Sequence, residues 1–528
     1  MCGTLTHMGD RLRPGKVPWD IVARSLGAAL PPEVKLGPGV GEDAAVVEIG
    51  GELWAIATDP ITFTGADAGR LAVIVNANDV AVRGATPALF LATVLVAGQD
   101  ADTDRIGDLL DEIADGCREV GAALVGGHTE VTPGLDRSIL SGVMMGRVVD
   151  RPVTTGGARP GDRLAIVGTA GLEGTAILLA EHGEQLAHVL TDLDRREAER
   201  VLAGDWLSVV RPALAAARVP GVTAMHDVTE GGVGEALWEL SRACGHALEV
   251  DRESIPVLPA TTAVCEVFGL DPLGLIGSGA LLVACDPEHG EALDAALASI
   301  GVQARWIGAV TAAPGPTTGV PRFERDEILV PTALGSIRAV VFDMDGTLVD
   351  SRYDWPEIRR VLEVDGPSII DALNGLDEPL RSQRWSRLLA FEHEATRAAS
   401  LHAGARELLA ILHDHGIRAA LVTNNTDDNT RWLLERFGLE FDVVLTRDSG
   451  LWKPSADPIE AAMHRLGATP EQTLAVGDSI YDLDAARAAG CGLVCMVLEG
   501  RHRHGEHADL AFSDLTDLRR ALELVLPG

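Results

Sequence analysis

The stretch Ala339-Val-Val-Phe-Asp-Met-Asp-Gly-Thr347 constrains the fold more than any other part of the chain. Four apolar residues without alternation predict a strand buried on both faces, the kind found in parallel sheets covered by helices. The run ends in two carboxylates one residue apart. It therefore predicts Asp343 and Asp345 at the carboxyl edge of an open α/β sheet, where such sheets bind ligands. Gly346 permits the close turn that brings backbone amides toward an anion. An acidic surface turn or a calcium loop are the alternatives. A calcium loop needs its glycine later and a helix ahead of it, whereas a strand precedes this motif.

The C-terminal third holds partners for those acids. A second apolar strand, Arg418 to Thr423, delivers the Thr423 hydroxyl and the Asn424 amide to the same edge. Lys453, in Trp452-Lys-Pro-Ser455, offers a point cation for a phosphate. A further strand ends in Asp478, and Asp482 follows four residues on. Carboxylates converging on one edge repel, so they imply a hard divalent cation, most simply Mg2+. In this order the four elements resemble the motifs of the haloacid dehalogenase superfamily of phosphatases, over residues 338–528. The resemblance implies that Asp343 is the nucleophile and that Asp345 acts as acid and then base. It places Thr423 and Lys453 on phosphoryl oxygens, and Asp343, Asp345, Asp478 and Asp482 around the metal. A Rossmann-like parallel sheet with a small helical cap at about 352–402 is implied as well. Trp355, Arg381, Arg384 and Trp385 are cap candidates for contact with a small phosphorylated metabolite, and each also reads as a packing or surface residue.

At 528 residues the chain is too long for one ordinary core, so two or three domains are expected. Only 4% of residues are aromatic, which leaves few platforms for stacking bases. A net charge of −34 opposes binding to a nucleic-acid backbone or an acidic membrane. The seven cysteines are scattered and lack a Cys-x-x-Cys pair, so they read as reduced thiols of a cytoplasmic protein. Cys117 shares a helical face with Ile106, Leu109, Leu110, Ile113 and Val120, which predicts a core position. No apolar run approaches about 20 residues, and the first residues lack the apolar block of a signal peptide. A cytoplasmic location is expected.

The chain ahead of residue 316 has its own pattern. A helix is expected over Trp19 to Leu30. Gly37-Pro-Gly-Val-Gly-Glu-Asp43 then leads into a strand; alone it reads equally as a flexible turn, because it lacks the ending of a P-loop. Trp54 to Asp59 is a strand ending in an acid, and Leu71 to Gly84 a helical stretch carrying Asn76, Asn78 and Asp79. A strand near Ala122 to Val125 runs into Gly126-Gly-His-Thr-Glu130. Acids and amides at successive element ends, among glycines, predict metal ions mediating contact with a polyphosphate. Asp79 lies between apolar runs, where a carboxylate needs a partner. A second half opens with the strand Arg163 to Val167 and continues through Gly168 to Gly174 and a helical region to about Leu214. His226-Asp-Val-Thr-Glu-Gly-Gly232 then leads into a helix whose N-terminus suits a phosphate, although His226 and Asp227 also read as a capping turn.

Taken together, Gly41-Glu-Asp-Ala-Ala45, Thr58-Asp59, Asn78 to Ala85, Gly126 to Glu130, His226 to Gly232 and Asp271-Pro-Leu273 resemble the aminoimidazole ribonucleotide (AIR) synthetase superfamily, with the hydrogenase-maturation branch nearest. The resemblance implies a two-half α+β synthetase-like domain, residues 1–155 and 156–315, that uses ATP and Mg2+ as a homodimer. It implies Asp43, Asp59, Asn78, Asp79, His128 and Glu130 as nucleotide and metal residues. One departure matters: that branch modifies a cysteine at its own C-terminus, and Arg322 to Val330 contains none. Residues 316–337, with Pro316, Pro321 and Pro331, are expected to form a linker. The chain as a whole thus reads as α/β and bifunctional, an ATP-dependent synthetase-like domain ahead of a phosphatase. The alternative keeps only the phosphatase as an enzyme, with a regulatory nucleotide-binding domain before it.

Overall fold

The computed structural model describes residues 15–24, 30–61, 67–187, 190–202, 206–323, 325–365, 368–497 and 508–526. The chain divides into two compact units, Met1–Cys265 with Asp271–Leu329, and Glu266–Leu270 with Val330–Gly528.

In the first unit the strands β1 (Val34–Leu36), β2 (Ala45–Ile49), β3 (Glu52–Ala57), β4 (Pro60–Ile61), β5 (Ala85–Ala97), β6 (Ala123–Thr132) and β7 (Ile139–Val148) form one sheet. Its order is β1-β2-β3-β7-β5-β6, with β4 paired to β7. Burial alternates along β7, and the buried Leu140 and Met144 share a core with Ala72, Val73, Val80 and Phe90. The helix Ala68–Ala81 is buried from Ala72 through Ala81, so it carries no polar stripe, and Asn76, Asn78 and Asp79 go inside with it. Gly142 is required where this helix meets the sheet, since a Cβ there would press on the Phe90 ring and come within 2.8 Å of the Asn76 amide.

A second sheet holds β8 (Arg163–Val167), β9 (Val222–Asp227), β10 (Leu248–Val250), β11 (Leu281–Cys285) and β12 (Ala304–Val310), in the order β10-β12-β8-β11-β9. All its pairings are antiparallel. Every residue of β11 is buried, as its unbroken Leu-Leu-Val-Ala-Cys run requires. Met225, Leu281 and Val283 belong to the same apolar cluster as Phe90 and Met144, so the two halves form one body.

Several expectations differ from the structure. The helix expected over Trp19–Leu30 is observed as Trp19–Ala23, and residues 25–29 lie outside the described residues. The strand expected to stop at Val125 runs on to Thr132, because β5 offers a long parallel partner and Gly127 tolerates close approach of the Ala92 carbonyl. The helical region expected up to Leu214 is three helices, Leu172–Leu186, Asp192–Leu202 and Val210–Ala217. The stretch expected as a linker is split. Thr318 extends the β10 edge, accepting from Val250 at 3.1 Å and donating to Leu248 at 2.8 Å, while Leu329–Gly335 is a helix.

The second unit contains β13 (Ala339–Phe342), the β14 (Val349–Asp350) and β15 (Ser400–Leu401) pair, β16 (Arg418–Val422), β17 (Val443–Leu445), β18 (Thr473–Gly477), β19 (Leu493–Val497) and β20 (Leu510–Phe512). The main sheet is parallel with order β17-β16-β13-β18-β19-β20. Between β14 and β15 stand the helices Trp355–Leu362, Ile369–Asn374 and Leu380–Ala398, which close over their own small core of Ile358, Leu362, Leu373 and Leu388. Among the described residues no helix is long and apolar enough to cross a membrane.

One side chain ties the halves of the first unit together. Arg83 is fully buried; its guanidinium donates to the Val153 and Met225 carbonyls at 3.3 and 3.4 Å, to Thr155 Oγ1 at 2.9 Å and to Asp43 at 3.0 Å. Removing one member of a buried ion pair leaves the other uncompensated. Arg83→Leu should therefore lower unfolding stability by about 3–5 kcal/mol, with Arg83→Lys intermediate. Denaturant melts of the full chain that match the unsubstituted protein would contradict this role.

Candidate functional site

At the carboxyl edge of the parallel sheet, β13 hands over to Asp343, whose N–H still follows the ladder and donates to Val476 at 2.9 Å. Next to it β18 ends at Gly477, so Asp478 leaves the sheet at the same edge. Asp482 closes a capping box with Ser479, accepting from its N–H at 3.0 Å and its hydroxyl at 2.5 Å, and this opens the helix Ile480–Ala488. Asp343, Asp478 and Asp482 each bring a carboxylate oxygen within 4.8 Å of the others. Lys453 Nζ donates to Asp343 and, at 2.5 Å, to Asp482. Gly346 has a φ of 98°, and a Cβ there would run into the Asp478 carboxylate.

Asp345 is held from two sides, by the Ser351 hydroxyl and by the Asn425 amide at 3.0 Å. The buried Thr423 hydroxyl accepts the Asn425 N–H at 3.1 Å, and Thr347 donates to Asp478 at 3.1 Å. The Asn424 side chain reads the Lys453 backbone in both directions, at 2.9 Å each way. Burial raises the Asp343 carboxyl to about 7; Lys453 opposes the rise, while Asp482 and Asp345 add to it. Burial, with Asp482 and Asp343 nearby, also takes Asp478 well above its usual value. For Lys453, burial alone would lower the ammonium, but Asp343 and Asp482 outweigh it and hold the group charged. Three acids thus cluster, and one lysine is bonded to two of them. An all-oxygen set with this surplus of negative charge suits a hard divalent cation.

The cap candidates have partners of their own. Arg381 pairs with Glu378 at 2.9 Å and Arg384 with Glu363, both within the cap. Trp355 stacks on Tyr353 at 4.6 Å, and Trp385 lies 5.1 Å from the Arg447 guanidinium.

The first unit assembles a second acidic cluster around a buried histidine. His226, at the end of β9, bonds Asp43 through Nδ1 at 2.8 Å and Glu239 through Nε2 at 2.9 Å; Lys16 reaches Glu239 at 3.1 Å. Burial alone would depress the imidazole, yet Asp43 and then Glu239 raise it to about 10. Asp43 is pushed up by burial but held below its usual value by His226 and Arg83. Its neighbours move the other way. Burial, then repulsion from Asp43, takes Asp227 to about 7 and Asp59 to about 6, and Asp79 is raised well above the carboxylate range by burial, Asp59 and Asp227. Among the described residues, Asp79 Oδ2 and both Asp227 oxygens are buried without a hydrogen-bond partner. Asp43, His226 and Asp227 place ligand atoms within 4.8 Å of one another. Buried acids with orphaned oxygens fit a cation-binding role.

Other expected residues stand elsewhere. Asn78 pins the segment 207–209, donating to the Leu207 carbonyl at 2.9 Å and accepting from Val209 at 2.8 Å. His128 and Glu130 lie exposed on β6, 3.1 Å apart and paired with each other.

Known proteins match this architecture. Residues 41–148 and 159–320 match the N- and C-terminal domains of AIR synthase related proteins, and residues 337–490 match the haloacid dehalogenase-like hydrolases. Carbamoyl dehydratase HypE of Cupriavidus necator is 33% identical over 282 residues, which cover 51% of this chain and 76% of that protein. HypE of Escherichia coli K12 is 33% identical over 269 residues, 49% of this chain and 74% of that one. The chain belongs to the carbamoyl dehydratase family. A solved HypE structure in complex with ATP is 28% identical, with a TM-score of 0.43 over 52% of this chain and 82% of that one. To the carbamoyl dehydratase-like part this protein adds a haloacid dehalogenase-like hydrolase domain.

Sequence reasoning passed over Arg83, Glu239 and Lys16 in this family member's first unit, and Ser351, Asn425, Arg447 and Glu392 in its second. Asn425 could have been found, since it directly follows Thr423-Asn424 at a strand end. Lys16 and Glu239 lie 223 residues apart, and no local pattern joins them.

His226 offers a direct test of the cluster. Because its folded value is raised, it keeps its proton through neutrality, and the stability from its ion pairs is complete below about 6.5. That stability is lost as pH rises through about 10. Nitrogen NMR of histidine-labelled protein at pH 8 should show both His226 ring nitrogens protonated; a neutral imidazole would contradict the assignment.

Proposed function

We propose that the second unit hydrolyses a small phosphomonoester through an aspartyl-phosphate. The observation that carries this reading is the cluster of Asp343, Asp478 and Asp482 at the carboxyl edge of a parallel sheet, with Lys453 paired to Asp343 and Asp482. An Asp343 oxygen attacks phosphorus and the ester P–O bond breaks, while Asp345 protonates the departing alkoxide. Asp345 then takes a proton from water as that water attacks phosphorus, the aspartyl P–O bond breaks, and inorganic phosphate leaves. Thr423 and Lys453 hold the phosphoryl oxygens through both steps. Mg2+ bound by Asp343, the Asp345 carbonyl, Asp478 and Asp482 would offset charge on the transferring group.

For the first unit the reading is an ATP- and Mg2+-dependent phosphoryl transfer of the kind its carbamoyl dehydratase relatives suggest. Asp43, Asp59, Asp79 and Asp227 would hold the metal, and the orphaned oxygens of Asp79 and Asp227 support this. Transfer to a cysteine at the chain's own end is not part of the reading. The stretch Arg322 to Val330 has no cysteine, and Asp326 fastens it by accepting backbone N–H groups of Gly231 at 2.6 Å, Ile276 at 3.1 Å and Ile328 at 2.8 Å. A homodimer through β6 is also proposed. This edge strand exposes Leu124, Val125 and Val131, and an exposed apolar edge is a template for pairing. His128 and Glu130 on the same strand would then lie near the partner's nucleotide.

The two activities should separate. Asp343→Asn should abolish Mg2+-dependent hydrolysis of p-nitrophenyl phosphate and leave ATP turnover intact, since an amide is no nucleophile here. Asp79→Asn should weaken ATP turnover and leave the phosphatase unchanged. Both variants are assayed in the full chain after thermal melts establish folding. Loss of both activities in either folded variant would overturn the assignment of two separate sites. Absence of ATP turnover in the unsubstituted protein would favour a regulatory first unit.

A further inference from the structure

Two loops of the second unit hold the phosphate-facing groups, and each is tied to the cap. The first, Thr423-Asn424-Asn425, follows β16 and fixes Asp345 through the Asn425 amide. The second, Thr446 to Lys453, follows β17. They are joined to each other by the two Asn424–Lys453 hydrogen bonds at 2.9 Å and by the Arg447 N–H, which donates to the Asn425 carbonyl at 3.2 Å.

Arg447 sits at the crossing point. Its guanidinium forks onto Glu392 of the cap helix Leu380–Ala398, at 2.5 and 2.6 Å, and the same Nη1 donates to the Asn424 carbonyl at 3.1 Å. Both side chains are more than nine-tenths buried, and the Trp385 ring of the same cap helix lies 5.1 Å from the guanidinium. A second tie runs alongside. Trp452, the residue before Lys453, donates its indole N–H at 2.9 Å to Asp371 of the cap helix Ile369–Asn374. A buried two-point ion pair fixes orientation as well as distance, and it is costly to leave half-made. Lifting the cap would strand the Arg447 charge, leaving the Asn424 carbonyl bonded to a guanidinium no longer fixed by Glu392.

We propose that Arg447 is a positioning residue that makes the geometry of the phosphate loops depend on the docked cap, through its simultaneous bonds to Glu392 and to the Asn424 carbonyl. This rests on the phosphatase reading of the site. With the cap helix seated, Thr423, Asn425 and Lys453 stand where the transferring group needs them. With the cap lifted, the loop segment 423–425 loosens, so hydrolysis waits for the leaving group to be enclosed. The control lies in the loops themselves and does not require a cap residue to touch substrate.

The test uses the full chain with Glu392→Ala, Glu392→Gln and Arg447→Lys, and two readouts. Hydrogen exchange should quicken in Glu392→Ala both in the cap helix, residues 380–398, and in residues 422–426, which the substitution does not touch directly. Turnover of p-nitrophenyl phosphate with Mg2+ should fall in kcat by about a hundredfold, as expected for misplacement without loss of a reacting group, while KM changes little. Glu392→Gln keeps the side-chain size and one acceptor oxygen, but its amide nitrogen cannot accept from the guanidinium, so both readouts should fall between those of Glu392→Ala and the unsubstituted protein. It also serves if Glu392→Ala fails to fold. Arg447→Lys, which keeps the charge but loses the fork, should behave like Glu392→Ala. Quickened exchange confined to the cap, with kcat unchanged, would overturn the proposal and leave the pair a structural tie. If the unsubstituted protein hydrolyses no phosphomonoester, the phosphatase reading falls, and exchange at residues 422–426 still decides whether cap and loops are coupled.

Discussion

Lys453 carries the constraint on which the second unit depends. Three carboxylates with oxygens within 4.8 Å of one another would repel strongly in a buried setting, and this ammonium is bonded to two of them. Its position requires the loop after β17 to fold back over the carboxyl edge of the sheet, which the paired hydrogen bonds with Asn424 achieve. The third acid of the cluster requires Gly346, because a Cβ there would run into the Asp478 carboxylate. The lysine does not balance the cluster; the remaining negative charge is what a divalent cation would neutralise.

The first unit solves the same problem with different cations. Arg83 and His226, both fully buried or nearly so, approach Asp43 from two sides. They hold one acid ionised, while among the described residues Asp79 Oδ2 and both Asp227 oxygens find no hydrogen-bond donor, a cost that protonation or a bound cation would relieve. Arg83 also bonds the backbone of both halves, so the device that organises the acids is the one that joins the halves. In a chain of net charge −34 these interior cations are placed where they order acidic sites.

Much of this was legible in the sequence wherever function lies at the end of an apolar run. β13, β16 and β18 each end at a polar residue because a parallel strand is buried until it leaves the sheet, so the places of Asp343, Thr423 and Asp478 could be read directly. The His226–Asp43 pair was hidden because its members are 183 residues apart. The partners of Asn78 were hidden for a different reason. An amide inside a buried helix must find hydrogen bonds, and here it finds them in the backbone at 207–209, which no sequence period marks. The length of β6 was missed because glycines read as a loop, whereas Gly127 serves close packing between neighbouring strands. The Glu392–Arg447 pair was invisible for want of any rule that relates a cap helix to the loop after β17.

In the proposed reaction Asp343 is the nucleophile that takes up the phosphoryl group. This role is tested most directly by acid-quenching the protein during turnover of a phosphomonoester with Mg2+ and mapping phosphorylated peptides by mass spectrometry. A single acyl-phosphate is expected on the peptide carrying Asp343, released by hydroxylamine. A phosphoryl group on another residue, or turnover with no phosphorylated peptide at any quench time, would contradict it.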